Sequence, residues 1–162
     1  MRDRKAAGLL CGLLAVLPQI AVGANVATVE VKVNVLAAPP CTINDNKVIA
    51  VEFGEVMTTR VDGKNYRIPV DYTMSCTAGS PNALKLQIQG TAAPFDSTVL
   101  QTNKAGLGIE LQQGSTKLAI NHWLNFTYPD RPELWAIPVK QDGIALTGGE
   151  FTAGAILKVD YQ

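Results

Sequence analysis

The chain has 162 residues, 47% of them hydrophobic and 17% charged, and its 14 basic and 14 acidic side chains give a formal net charge of zero. This composition is that of one folded globular domain and argues against intrinsic disorder. Lysine and arginine are scattered along the sequence, so it shows no basic patch of the kind that binds nucleic acid or an anionic membrane surface.

A cleaved secretory signal is predicted over residues 1–24. Three basic residues precede an apolar run that contains the helix breaker Pro18 and ends in small residues, which is the pattern of a signal peptide. Cleavage after Gly23 or Ala24 fits this pattern. The alternative is an uncleaved membrane anchor, because the apolar run is about as long as a bilayer-spanning helix.

The mature chain opens with an alternating segment, "NVATVEVKVNVLAAPPC". Apolar residues at odd positions and polar residues at even positions predict a long β-strand. Pro39 and Pro40 then separate this strand from everything that follows. Two interpretations are open from the pattern: the strand pairs within its own molecule, or it pairs with another chain. Its apolar positions are Ala27, Val29, Val31, Val33 and Val35.

Removal of the signal leaves two cysteines, Cys41 and Cys76. An even number of cysteines in a chain exported to an oxidising compartment favours one disulfide bond over reactive thiols. The alternative is a pair of free, buried cysteines.

Short strand patterns recur from Cys41 onward, with turns between them and no helical period. The segments are "VIAVEFGEV", "YRIPVDYTMSC", "ALKLQIQG", "LGIELQQG", "TKLAI" and "LWAIPVK". In the last of these we expect Trp135, Ile137 and Val139 to share a core face. Short alternating strands punctuated by Gly, Pro, Asn and Asp predict an all-β fold, an antiparallel β-sandwich.

The chain ends in another strand pattern, "GGEFTAGAILKVDYQ". Its polar face is interrupted only by Ile156. A strand at the terminus has an open edge unless the N-terminal strand or another chain pairs with it. Its apolar face consists of Phe151, Ala153, Ala155, Leu157, Val159 and Tyr161.

Several of these features together resemble a pilin of the bacterial chaperone-usher (type 1 and P pilus) family, most closely a minor tip or adaptor subunit. They are the alternating N-terminal extension, "PPCTIN", "VEFGEV", a second cysteine at the end of a long strand, the penultimate Tyr161, and Gly149 at the fourteenth position from the end. The resemblance covers nearly the whole mature chain.

The resemblance implies an incomplete immunoglobulin-like sandwich that lacks its last strand. Residues 25–40 would be a donor-strand extension that completes a neighbouring subunit, and residues 41–162 would be the pilin domain. The implied partners are a periplasmic chaperone, an outer-membrane usher and neighbouring pilins, on a route through the periplasm to a fimbrium at the cell surface. The implied acceptor-groove and chaperone-binding residues are Gly149, Phe151, Leu157, Val159 and Tyr161.

Enzymatic activity is not expected. His122 is the only histidine, so a catalytic relay or a zinc site would depend on it alone. We expect no cofactor, metal, nucleic acid or small-molecule substrate. The alternative function is a free-standing secreted carbohydrate-binding module that stacks sugar on Trp123, Tyr128 and Trp135.

Overall fold

The computed structural model describes residues 41–162. The predicted signal, residues 1–24, and the predicted extension, residues 25–40, lie outside the described residues. The donor positions Ala27, Val29, Val31, Val33 and Val35 lie there too and stay predictions. No helix within residues 41–162 is long and apolar enough to cross a membrane.

The described part of the chain is built from eleven strands and two single-turn 3-10 helices. The 3-10 helices are Asn44–Asn46 and Thr58–Arg60. The strands are β1 Cys41–Ile43, β2 Ile68–Pro69, β3 Met74–Cys76, β4 Ala83–Gly90, β5 Ala92–Ala93, β6 Asp96–Gln101, β7 Leu107–Gln113, β8 Thr116–Leu118, β9 Trp123–Thr127, β10 Leu134–Lys140 and β11 Ala155–Tyr161.

All strand pairs are antiparallel and form three groups. One sheet has the order β11-β4-β9, and a larger sheet has the order β2-β10-β7-β6-β5 with β8 paired to β7. β1 pairs with β3. The predicted all-β sandwich is therefore confirmed.

The core lies between the two larger sheets. Leu86 and Ile88 of β4 belong to one apolar cluster with Ile109 and Leu111 of β7 and with Leu134 of β10. On β4 these inward residues alternate with the more exposed Lys85, Gln87 and Gln89, as the sequence pattern predicts.

One detail of the sequence prediction was wrong, and a second, the core face of β10, was right for Ile137, which is 1% exposed, but not for Trp135. Residues 47–57 form no strand, although Ile49, Val51 and Phe53 alternate with exposed neighbours, because no strand within residues 41–162 pairs with them. On β10 the core cluster receives Leu134 and Ala136. Trp135 lies on the opposite side, under the guanidinium of Arg67 at 3.6 Å.

Candidate strand-acceptor groove

β11 forms one edge of the three-stranded sheet. Its partner is β4, in a register that runs from Ala155 opposite Gly90 to Tyr161 opposite Leu84. Within residues 41–162 no second strand pairs along residues 155–160. The backbone N–H and C=O groups on this side of β11 therefore offer a template for an added strand.

Two contacts join the last part of the chain to its described beginning. The hydroxyl of Tyr161 lies 3.7 Å from Sγ of Cys41. The rings of Phe53 and Phe151 lie 5.8 Å apart between centroids. Tyr161 therefore lies near Cys41, and Phe151 lies near Phe53. The segment 151–161 thus runs antiparallel to the segment 41–53.

We call the space between these two segments the acceptor groove, bounded by residues 47–57 on one side and residues 151–161 on the other. Ile49, Val51 and Phe53 are half-buried and pack on the core from one side. Phe151 and Leu157 do so from the other side. The groove walls are therefore apolar side chains that the described residues cover only in part.

The predicted apolar face of the last strand matches the burial pattern in part, because Ala153 and Ala155 are exposed. Leu157, Val159 and Tyr161 are half-buried, whereas Lys158 and Asp160 are exposed. Ile156, which breaks the polar pattern of the sequence, is 60% exposed on the outer face. The structure thus brings together four of the five predicted groove residues, since Phe151 stands at the end of the same wall.

Gly149, the fifth predicted residue, lies in the turn before this wall. Its φ of 112° is a conformation that side-chain-bearing residues rarely adopt. The Lys104 ammonium donates to the carbonyls of Thr147 and Gly148 beside it. Gly149 therefore shapes the turn that leads into residues 151–161, and it does not line the acceptor groove.

The predicted disulfide is present. Cys41 and Cys76 are bonded, with Cα atoms 4.0 Å apart and a sequence separation of 35. They are also opposite each other in the β1–β3 register. The bond fixes the start of the described chain at the end of the groove where Tyr161 lies.

Titratable groups with shifted pKa values lie outside the acceptor groove. Hydrogen bonds from Thr98, together with the nearby Lys117 ammonium, lower the pKa of Asp96 to about 2. Burial raises the pKa of Tyr72, whose hydroxyl donates to the Pro132 carbonyl at 2.7 Å. Within residues 41–162 no three His, Cys, Asp or Glu side chains are grouped to hold a metal.

Trp123 and Trp135, two of the three residues of the alternative sugar site, lie on different sheets. Trp123 is 44% exposed on β9 of the three-stranded sheet, with the Lys85 ammonium 5.1 Å from its ring. Trp135 belongs to the other sheet and is stacked under Arg67. Neither cation–aromatic pair is predictable from local sequence pattern, because both are contacts between segments distant in sequence.

An immunoglobulin-like sandwich with one open edge above partly covered apolar side chains is the incomplete fold of a pilus subunit. The sequence model of the family described as "Fimbrial protein" matches residues 29–162. The chain belongs to this family, and it is a structural subunit of a cell-surface fimbrium whose neighbours are other pilins.

Similar proteins agree with this assignment. The fimbrial-like protein YfcR of Escherichia coli K12 is 37% identical over 161 residues, which cover 96% of this chain and 92% of the relative. The fimbrial adapter PapF of Escherichia coli is 29% identical over 149 residues, which cover 82% of this chain and 89% of PapF.

Solved structures show the same fold. The P pilus adaptor subunit PapF has a TM-score of 0.59 at 28% identity, covering 78% of this chain and 98% of PapF. The P pilus rod subunit PapA has a TM-score of 0.58 at 22% identity, covering 76% of this chain and 99% of PapA. At this identity the similarity concerns the fold alone. The predicted resemblance to pilins is confirmed.

Proposed function

We propose that this chain is a minor, adaptor-type subunit of a chaperone–usher pilus that assembles by donor-strand exchange. Its acceptor groove takes a β-strand from another chain, and its extension, residues 25–40, donates a strand to a neighbouring subunit. The observation that carries this proposal is the open edge of β11 beside half-buried apolar side chains on both groove walls.

Physical chemistry favours a strand as the ligand of this groove. Addition of an extended peptide to a sheet edge is an established mode of recognition, and chaperone–pilin complementation is one of its known examples. Main-chain hydrogen bonds supply affinity, and side chains at alternate positions enter the groove. The four inserted valines contribute about 1.5 kcal/mol or more each, and Ala27 contributes less.

The predicted extension has the matching pattern. Its five apolar residues at odd positions would face the groove of the neighbour, and Thr28, Glu30, Lys32 and Asn34 would face solvent. Pro39 and Pro40 then limit continuation of that strand into the chain's own sheet, because proline lacks the N–H that a sheet ladder needs.

An uncovered edge of this kind promotes aggregation. The chain therefore needs a periplasmic chaperone that lends a strand after export through the signal over residues 1–24, and an outer-membrane usher at which the neighbour's strand replaces it. Likeness to the fimbrial adapter PapF supports the adaptor position. This role requires neither catalysis nor a cofactor.

Expression of the full chain in a bacterial periplasm tests the proposal, with and without a tagged pilus chaperone. We expect a soluble complex with the chaperone, and aggregation or degradation without it. Val159→Asp should abolish capture because it places a charge in the groove, whereas Lys158→Ala, on the exposed face of the same strand, should not. A soluble monomer that no chaperone captures would indicate a free-standing secreted module instead.

A further inference from the structure

The last residue of the chain makes three hydrogen bonds to the three-stranded sheet. The backbone N–H of Gln162 donates to the Ala83 carbonyl at 3.1 Å. Its side-chain Nε2 donates to the Leu84 carbonyl at 2.7 Å and lies 3.3 Å from the Phe126 carbonyl. One residue thus contacts both of the other strands in this sheet.

These bonds lie at the end of one cross-strand row. Tyr161 pairs with Leu84, and Leu84 pairs with Phe126. The Gln162 amide reaches from the end of β11 across β4 to β9. We call this set of bonds the terminal clamp, made by Gln162 with the carbonyls of Ala83, Leu84 and Phe126.

The clamp ties down one end of the groove wall that β11 forms. β11 is an edge strand whose partner within residues 41–162 is β4, and a strand that is bonded on one side only opens locally more easily than a strand bonded on both sides. Fraying of residues 159–161 would remove Val159 and Tyr161 from the groove wall. It would also misplace the backbone groups to which an incoming strand must bond.

We propose that Gln162 is a positioning residue for strand capture, an inference that rests on the proposed function above. Its side chain holds the end of β11 in register while the groove is unfilled. Once a strand has docked, new ladder bonds hold β11 from its open side, and the clamp becomes redundant. Gln162 therefore governs how fast the groove captures a strand more than how stable the filled groove is.

The isosteric change Gln162→Glu tests this inference, because it keeps the shape and replaces the amide donor by an oxygen that faces two carbonyls. Gln162→Ala removes the donor without adding a charge. Lys85→Ala is the matched control, since it breaks the Lys85–Asp160 ion pair, 3.5 Å between Nζ and Oδ2, across the same two strands.

In the experiment, unfolded, disulfide-bonded full chain is mixed with a purified pilus chaperone that captures the wild type, and complex formation is followed by size-exclusion chromatography over time. We expect both Gln162 variants to be captured roughly three- to ten-fold more slowly, the effect of about one net hydrogen bond. Lys85→Ala should be captured at the wild-type rate, and all four finished complexes should melt at similar temperatures.

Three results would overturn the inference: capture of Gln162→Glu at the wild-type rate, slowing by Gln162→Glu but not by Gln162→Ala, or melting temperatures of the Gln162 complexes that fall in step with the rates. A wild-type chain that no chaperone captures would instead refute the proposed function, and this inference with it.

Discussion

The hydroxyl of Tyr161 donates toward Sγ of Cys41 across 3.7 Å, so the end of β11 contacts the disulfide at the start of β1. The hydroxyl must be the donor because a disulfide sulfur carries no hydrogen. With the Phe53–Phe151 ring pair at the other end, this contact sets the length of the acceptor groove. Phe151 and Tyr161 are ten positions apart, at most about 33 Å when extended, and residues 27 and 35, eight positions apart, would span about 26 Å as an extended strand.

The ring of Tyr161, more than its hydroxyl, should support chaperone capture. A sulfur atom is a weak acceptor, so Tyr161→Phe should give nearly the wild-type yield of chaperone complex. Tyr161→Ser removes the apolar ring from the groove wall and should lower that yield strongly. Equal yields for Tyr161→Ser and for Lys158→Ala would mean that this end of β11 is not part of the binding surface.

The Cys41–Cys76 bond should be required for efficient accumulation. Closing a loop of this length, a sequence separation of 35, stabilises a fold by roughly 3 to 4 kcal/mol in the chain-entropy model. That is a large part of the stability of a small domain. Cys41→Ser should therefore reduce the yield of chaperone complex, measured by pull-down and immunoblot.

Mass spectrometry provides the companion measurement. The mature protein should lack the signal and should weigh two hydrogens less than its reduced form. Alkylation of two thiols under native, non-reducing conditions would contradict the bond.

Some of this fold follows from local pattern and some does not. The full bounds of β4 are predictable because apolar Leu84, Leu86 and Ile88 alternate with polar residues, and in the structure these three are buried while the intervening residues are more exposed. On β10, alternation did not identify the face that meets the main core. Leu134 and Ala136 belong to the core cluster, yet Ile137, on the same face as Trp135, is only 1% exposed. When both faces of a strand are covered, periodicity cannot tell which face meets the main core.

The acceptor groove shows the same division. The face of Leu157, Val159 and Tyr161 was predicted because a half-buried strand alternates. The segment 48–56 also alternates. A β-strand, however, needs a second strand for its backbone hydrogen bonds, and local sequence does not show whether a second strand lies beside it. The Phe53–Phe151 pair, the Tyr161–Cys41 contact and the terminal clamp join residues 36 to 120 positions apart, which no local pattern encodes.

The Asp96 carboxyl should titrate at unusually low pH. It accepts hydrogen bonds from the hydroxyl and the N–H of Thr98 at 2.6 and 2.8 Å and from the Lys117 ammonium at 3.0 Å, and its pKa is lowered to about 2. Because this folded-state pKa lies below the ordinary value of 3.8, the ionised group stabilises the fold above about pH 4, and this contribution is lost as the pH falls toward 2.

A carbon-13 NMR titration of the carboxyl groups in the chaperone complex measures this directly. The Asp96 signal should change little between pH 5 and pH 3. Thr98→Val removes the hydroxyl donor and should move the Asp96 midpoint upward. A wild-type midpoint near 3.8 would show that these hydrogen bonds do not hold the ionised form.

A charge in the predicted donor strand separates donation from self-pairing. Val31→Asp or Val33→Asp would bury a carboxylate wherever that strand docks, at a cost of several kcal/mol unless the group is neutralised, whereas Lys32→Ala on the polar face should cost little. If the strand belonged to its own fold, Val31→Asp would lower the melting temperature of the chaperone complex. Because we propose that it is donated, we expect a complex that melts normally and fails only when the next subunit is added in an assembly assay.

Deletion of residues 25–36 should likewise leave a stable chaperone complex, and loss of that complex after the deletion would contradict donation.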